Sequence, residues 1–500
     1  MTKLPSRQQS VHGSFCKLVA VAIAAFMATL PIVSAESSLA DKNQSVTGPT
    51  TEGEWGEPFD LGIIAINAAL LPTGKVLFWQ FISGTSGGSR AELWDASGTI
   101  TDVSIPYEHD AFCSGHTALA DGRIFVAGGV VWGAAGSEKG VTHSDFFDPF
   151  TETWSAGPEM EYPRWYPDVK EAADGSVYVF GGQVSPGMLV NDTERYDPVS
   201  NTFSTLPSSA DIVADIYSRT ILLPDGRIFM AGQNQETDVL DLNTQSWSYV
   251  GEVTYGSRLN GNAFLLPGLE KVMVIGGGAG GPHVDATTTT EIIDFSQPTP
   301  AWTYSTPMNY ARQYFTSTYL PDGKILVIGG VLQDKYIDPA GPAEMFDPDT
   351  ATWTVLATAP IAKAHHSTAI LLPDGRVWSA GGDGYLPMRS YAQIYSPPYF
   401  FRNNRPTITS APTNLTYNQR FSITTPDVRN INKVSLIRLG TTTHVGTFDQ
   451  RYLLLDFKVK NGSLQVTSPI DSAHAPPGYY MLFILNTKGT PSVASMVQIQ

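Results

Sequence analysis

Apolar residues in this chain come in short runs, broken by Asp-Gly turns and closed by glycine pairs. The stretch from His365 to Gly382, HHSTAILLPDGRVWSAGG, shows the unit in full: an apolar run, a Pro-Asp-Gly turn, a second apolar run and Gly-Gly. Runs of this length joined by Asp-Gly predict a β-hairpin. The unit recurs as LLPTGKVLFWQ near Gly74, LADGRIFVAGG near Gly122, AADGSVYVFGG near Gly175 and LPDGRIFMAGQ near Gly226. It continues as LPGLEKVMVIGGG near Glu270, LPDGKILVIGG near Gly323 and LPDGRVWSAGG near Gly375. After most copies comes an apolar pair, an Asp turn and an aromatic, as in FFDPFTETW, RYDPVSNTF, VLDLNTQSW and MFDPDTATW.

A period of about 50 residues holding several short strands and a glycine pair marks kelch-type propeller blades. Such blades are four-stranded sheets packed around an axis, and a glycine pair suits close approach of another backbone. Seven copies predict a seven-bladed kelch-type β-propeller over 55–398. The pattern changes after SPPYFF (Ser396 to Phe401). Alternating segments such as KVSLIRL, SLQVTS and YYMLFILN then predict an immunoglobulin-like β-sandwich over 399–500. The expected fold is therefore all-β, a propeller followed by a sandwich.

The N-terminal residues read differently. Lys3, Arg7 and Lys17 flank or enter an apolar run from Leu18 to Leu30, and Val33-Ser34-Ala35 follows as a small-x-small cleavage pattern. That run is shorter than the roughly 20 residues a bilayer requires, and no later run is longer. Residues 1–35 are expected to be an export signal and 36–54, rich in Ser, Thr and Gly, a flexible lead-in. The expectation is a secreted or periplasmic protein with no transmembrane segment in its mature part, and a monomer. With 31 basic and 47 acidic residues the net charge is −16, which argues against nucleic acid as a partner. The two cysteines are Cys16, inside the signal, and Cys113. The mature chain thus carries a lone thiol, a liability in an oxidising compartment unless buried or modified.

Equivalent positions at the start of each blade's innermost strand form a ring at one mouth of the channel. The ninth residue upstream of each turn position is Ala65, Cys113, Tyr166, Tyr217, Gly261, Tyr314 and His366, with His365 beside the last. Tyr217 and Tyr314 fit a simple aromatic plug, and His366 alone would fit a core histidine. Together, imidazole and phenolate are copper-type ligands that a pseudo-symmetry axis can converge. The chain has no serine nucleophile elbow, phosphate-binding glycine loop or thiolate zinc cluster.

The segments DAFCSGHTALADGR, PRWYPDVKEAADG, HHSTAILLPDGR and RLGTTTHVGTFDQR, with APPGYYMLFILN and PSVAS near the end, resemble the galactose oxidase and glyoxal oxidase family of copper radical oxidases. The resemblance spans nearly the whole mature chain. It implies a Cu(II) site and a radical cofactor made by a thioether between Cys113 and Tyr166, with Tyr166 also a metal ligand. It assigns His366 as one histidine ligand and His444, on a sandwich loop, as the other. His474, in DSAHAPPGYY, is the competing histidine. Two positions depart from the family pattern. The family has Tyr-His where this chain has His365-His366, so His365 replaces the axial tyrosine that takes the substrate proton. An imidazole, with an unperturbed pKa near about 6.5, can bind copper or act as that base. The family's radical-shielding tryptophan is replaced by Val184. Trp132 and Trp165 are candidates to shield in its place, or else pack between blades.

The resemblance implies a secreted oxidase of a primary alcohol or aldehyde. It would use dioxygen and release hydrogen peroxide, with small aldehydes or simple alcohols suggested by PRWYP. The alternative is a propeller that kept its fold and copper but lost turnover, and binds a glycan or an envelope partner.

Overall fold

The computed structural model describes residues 48–81, 88–106, 110–132, 137–279, 285–333, 341–382, 389–402 and 404–500. The expected export signal and most of the lead-in lie outside these residues. Among them the regular secondary structure is almost entirely β-strand; the one α-helical turn is Pro49–Glu52.

The repeats build successive antiparallel sheets of a β-propeller. The second is typical: Gly115–Ala118, Ile124–Ala127, Ser144–Asp148 and Thr153–Ala156 pair in an up-and-down order. Four more sheets follow with the same order. The last sheet, Ser367–Leu371, Val377–Gly381 and Tyr391–Ser396, is completed by Glu54–Trp55 and Phe59–Asp60 from the other end of the chain. Glu54 lies opposite Ser396 and Trp55 opposite Tyr395, so the first and last parts of the propeller are laced into one sheet. The expected flexible lead-in is therefore shorter than 36–54. Its last residues form the helical turn and the closing strand, fixed where Tyr395 Oη donates to Glu52 O at 2.5 Å.

The glycine pairs stand where the next sheet's backbone crosses. A Cβ on Gly128 would lie 2.4 Å from Arg164 O, and one on Gly329 would lie 2.2 Å from Lys363 O. Behind three of these crossings a buried ion pair ties sheet to sheet entrance: Arg164–Glu194 at 2.8 Å, Arg258–Glu291 at 2.7 Å and Arg312–Glu344 at 2.8 Å. Each guanidinium also donates to a glycine-pair carbonyl, Gly181, Gly276 and Gly329 respectively. The last sheet has Lys363 and Gln393 in these places. Lys363 donates to Tyr391 O at 2.9 Å, and burial pushes its ammonium pKa down to about 7.

The sandwich packs a five-stranded sheet against the three strands Arg420–Thr424, Phe457–Lys460 and Ser463–Thr467. The strand Gly478–Asn486 explains how it meets the propeller. Tyr480, Leu482 and Ile484 pack with Leu464 and Val466 inside the sandwich, while Met481, Phe483 and Leu485 share a core with Tyr319, Phe264 and Leu372 of the propeller. The two-residue period of a strand sends alternate side chains into two cores. The contact falls at the hairpin-turn end of the channel: Arg451 donates to Leu222 O, Arg438 to Ala118 O and Gln498 to Ala120 O.

Two stability effects follow. Glu344→Leu leaves the fully buried Arg312 without its carboxylate and should cost about 3–5 kcal/mol, read as a lowered denaturant midpoint; an unchanged midpoint would contradict the role given to these pairs. His116 is buried against Trp79 and Phe448, and burial lowers its pKa from 6.5 to about 4. Below pH 6.5 the unfolded chain takes up a proton that the folded chain refuses until about pH 4. Stability from this group is full above pH 6.5 and lost as pH falls toward 4, about 3 kcal/mol in all. His116→Leu should flatten the acid limb of a stability–pH curve by that amount, whereas an identical slope would contradict it.

Candidate metal centre

After the first sheet, each ring residue is placed by a tight turn at the mouth of its innermost strand. Ser114 N–H donates to Ala111 O, Gly261 N–H to Arg258 O and Ser367 N–H to Ala364 O. The third residue of each turn has positive φ: Cys113 at 57°, Asn260 at 57° and His366 at 62°, with Tyr166 at 63°, Tyr217 at 48° and Tyr314 at 55° in the matching places. A turn of this kind demands the left-handed region at its third position. Holding non-glycine residues there costs on the order of 1 kcal/mol or more each, and such strain gathers at functional sites. The ring is further linked by Tyr166 N–H to Cys113 O, Tyr217 N–H to Tyr166 O and Tyr314 N–H to Asn260 O.

This geometry corrects one member of the ring. The turn in LPGLEK has Leu269, with φ 64°, where the other repeats have glycine, and its N–H closes the turn onto Leu266 O. Counting from Glu270 picks Gly261; counting from Leu269 picks Asn260, which carries the left-handed conformation. Ala65 of the first sheet does not share that conformation.

His444 arrives from the sandwich. The strand Thr441–Thr443 pairs with the first propeller sheet, Thr443 opposite Asn67 and Thr441 opposite Ala69, so the segment runs up the channel toward the ring. Asp449 anchors it, accepting from Thr117 Oγ1 at 2.5 Å, Ala118 N at 2.8 Å and Thr441 Oγ1 at 2.8 Å. At the tip His444 has φ 53° and Val445 φ 137°, and Asn262 Nδ2 donates to Val445 O at 2.6 Å. Sequence reasoning missed Asp449, Asn262 and Thr443; the only local cue was the polar run TTTH in a segment otherwise patterned as sandwich strand.

Cys113, His366 and His444 converge, with their ligand atoms all within 4.8 Å of one another. Cys113 Sγ is 3.2 Å from His444 Nε2. Thr443 Oγ1 donates to Ile66 O at 2.8 Å and lies 2.7 Å from His444 Nδ1. Its hydrogen is already spent on Ile66, so it accepts from Nδ1–H. That leaves the Nε2 lone pair of His444 facing Cys113 and the ring, as a metal ligand requires. The Tyr166 ring stands nearly perpendicular to His444 with centroids 5.4 Å apart, and His366 lies 4.3 Å from His444. His365 is 3.7 Å from His366 and meets Tyr314 edge-on at 5.0 Å. Tyr166, His365 and His444 wall an open cavity with Trp165, Tyr217 and Tyr314, while Cys113 and His366 are buried behind it. The donor types suit Cu(II): two imidazoles within reach of a thiol, with the Tyr166 phenol ring beside them.

The competing residues separate. His474 sits in a sandwich turn, its Nδ1 2.7 Å from Asp471, outside the cluster. Tyr217 donates to Ser114 O at 3.2 Å, and burial, then the neighbouring Cys113 and Tyr166, raise its pKa well above the usual phenol range. It therefore packs as a neutral phenol, as a plug would. Trp165 lies over Tyr166 with centroids 4.6 Å apart and planes 33° apart, so it covers that ring. A second cavity deeper in the channel, walled by Asp168, Glu171, Arg219, Arg438 and Arg451, has no imidazole or thiol and is not the metal site.

The role given to Thr443 is testable. Thr443→Val removes the acceptor that fixes the His444 tautomer, and Cu(II) affinity should fall about 10- to 100-fold in a competition titration. Unchanged affinity would show that the hydroxyl does not orient the ligand.

Comparison with known proteins agrees with this arrangement. Residues 89–396 match the family model described as glyoxal oxidase N-terminus, and 405–499 match galactose oxidase-like, early set domain. A galactose oxidase of Gibberella zeae is 31% identical, covering 89% of this chain and 70% of its own. An aldehyde oxidase, GLOX, of Vitis pseudoreticulata is 27% identical over 78% of this chain and 82% of its own. The solved structure of a fungal alcohol oxidase in complex with copper superposes with a TM-score of 0.80 at 27% identity, covering 90% of this chain and 100% of that one. With its propeller, its sandwich-borne His444 and its Cys113–His366–His444 cluster, the chain belongs to the galactose oxidase and glyoxal oxidase family of copper radical oxidases.

Proposed function

We propose that the protein is an exported oxidase of primary alcohols or aldehydes that consumes dioxygen and releases hydrogen peroxide. The observation that carries this is the convergence of Cys113, His366 and His444 behind a cavity walled by Tyr166 and His365. Tyr166, His366, His444 and His365 would hold Cu(II), and Cys113 and Tyr166 would join through a thioether. Bound copper would supply a one-electron acceptor and a seat for the substrate oxygen. Forming the thioether removes the Cys113 thiol hydrogen and one Tyr166 ring hydrogen, and dioxygen takes both with their two electrons. The product, a thioether-substituted phenolate on Tyr166, is easier to oxidise than tyrosine and supplies the second one-electron site.

His365 is the residue on which turnover depends. Its ring lies beside His366 and Tyr314 at the cavity, where, when not held to copper, an imidazole can take the substrate hydroxyl proton. The substrate class follows from the activities named for the relatives, and export from the pattern of residues 1–35. The same replacement of tyrosine by His365 favours one other reading, a copper-bearing propeller that binds a glycan or an envelope partner without turnover.

A peroxide assay over primary alcohols and aldehydes separates the two. The copper-loaded protein should make peroxide, and His365→Phe should lower kcat by about 10²–10⁴-fold. Peroxide no higher than in the copper-free control for any substrate, in wild type and in His365→Tyr alike, would leave the binding reading standing.

A further inference from the structure

A line of aromatic rings leads from Tyr166 to the protein surface. Trp165 lies against Tyr166 at 4.6 Å, and Trp132 meets Trp165 edge-on at 6.4 Å. Trp132 also stacks on Phe112 at 5.4 Å and 27°, and Phe112 touches His366 at 5.4 Å. Trp132 is 46% exposed, which is unusual for a large apolar ring with so many partners. Its indole is nonetheless held in place, because Nε1–H donates to Asp110 Oδ2 at 2.5 Å. Asp110 is itself buried and fixed, its Oδ1 accepting from Ser89 Oγ at 2.6 Å and from Phe112 N at 3.0 Å. An indole donating to a buried carboxylate loses an electron more easily, since the developing positive charge is stabilised and the proton has an acceptor. Packing between blades would account for Trp165, but not for an exposed tryptophan tethered to a carboxylate at the end of the line.

We propose that Trp132 is the electron-exit site through which outer-sphere one-electron oxidants set the oxidation state of Tyr166, with Trp165 as the intermediate stop. The proposal rests on the oxidase reading of the site. The oxidant takes one electron from Trp132, whose Nε1 proton shifts to Asp110. Trp132 is refilled from Trp165 and recovers its proton, and Trp165 is refilled from the Tyr166 phenolate. The net change is one electron lost by Tyr166 and one gained by the oxidant, with no bond made or broken and no net proton moved. The oxidant meets Trp132 first, so once Tyr166 is already oxidised Trp132 takes the oxidative damage.

The test uses copper-loaded full-length protein, wild type and Trp132→Phe, with Tyr166 first reduced. Mixing with hexachloroiridate(IV) and following the tyrosyl radical by its absorption should show radical formation slowed about tenfold or more in Trp132→Phe. Turnover after the radical has formed should be unchanged. After repeated oxidation without substrate, peptide mass spectrometry of wild type should find added oxygen at Trp132 ahead of the other tryptophans. Equal rates of radical formation in the two proteins, or added oxygen spread evenly over exposed tryptophans, would overturn the exit site while leaving the oxidase intact. Absence of both thioether and radical in wild type would overturn the oxidase reading and this one together.

Discussion

The structure depends on one strand pairing. Thr441–Thr443 leaves the sandwich and adds to the first propeller sheet, and everything at the site is registered from there. A shift of one residue would turn alternate side chains to the opposite faces. Thr443 would then lose Ile66, and His444 would lose both its tautomer-setting partner and its place beside Cys113. Asp449 guards against such a slip by gripping both limbs of the loop and the neighbouring sheet at once. The sandwich is thus a second domain only in sequence. One face of its strand Gly478–Asn486 belongs to the propeller's core, and its loop supplies His444, one of the three members of the Cys113–His366–His444 cluster.

Around that loop the propeller does what a single sheet cannot. It brings side chains from separate repeats to one point by giving every repeat after the first the same strained entry turn. The strain is tolerable because neighbouring entries hydrogen-bond to one another and because buried Arg–Glu pairs hold the sheets behind them. Those charges are costly to bury and costly to break singly, which suits a frame whose job is to keep a ring of left-handed residues from relaxing. The lacing of Glu54–Trp55 onto Tyr395–Ser396 closes the frame and keeps the last sheet, which carries His365 and His366, from opening.

Local chemistry made the repeats legible. Asp-Gly turns and glycine pairs declare hairpins without reference to the rest of the chain, and a shared period is enough to align residues far apart. Cys113, Tyr166, Tyr217, Tyr314 and His366 fell out of that alignment at the positions where the structure strains the backbone. The alignment slipped where a residue broke the local rule: Leu269 adopts the conformation glycine usually takes, which moved the fifth ring member from Asn260 to Gly261. Long-range pairing was not legible at all. Nothing in GTTTHVG says that its partner is Asn67–Ala69, and two residues, Glu54 and Trp55, are too few to show a strand's alternation. His444 was found by family resemblance, and only the structure supplies the reason that it reaches the ring.

A copper site built by the ring and the sandwich loop would leave a covalent mark on the chain, the proposed Cys113–Tyr166 cofactor. Loading the purified protein with Cu(II) under air and mapping its peptides by mass spectrometry tests this most directly. The Cys113 and Tyr166 peptides should become joined with the loss of two hydrogens, and Cys113 should no longer react with a thiol reagent after unfolding. Separate peptides and a fully alkylatable Cys113 in the copper-loaded protein would contradict it.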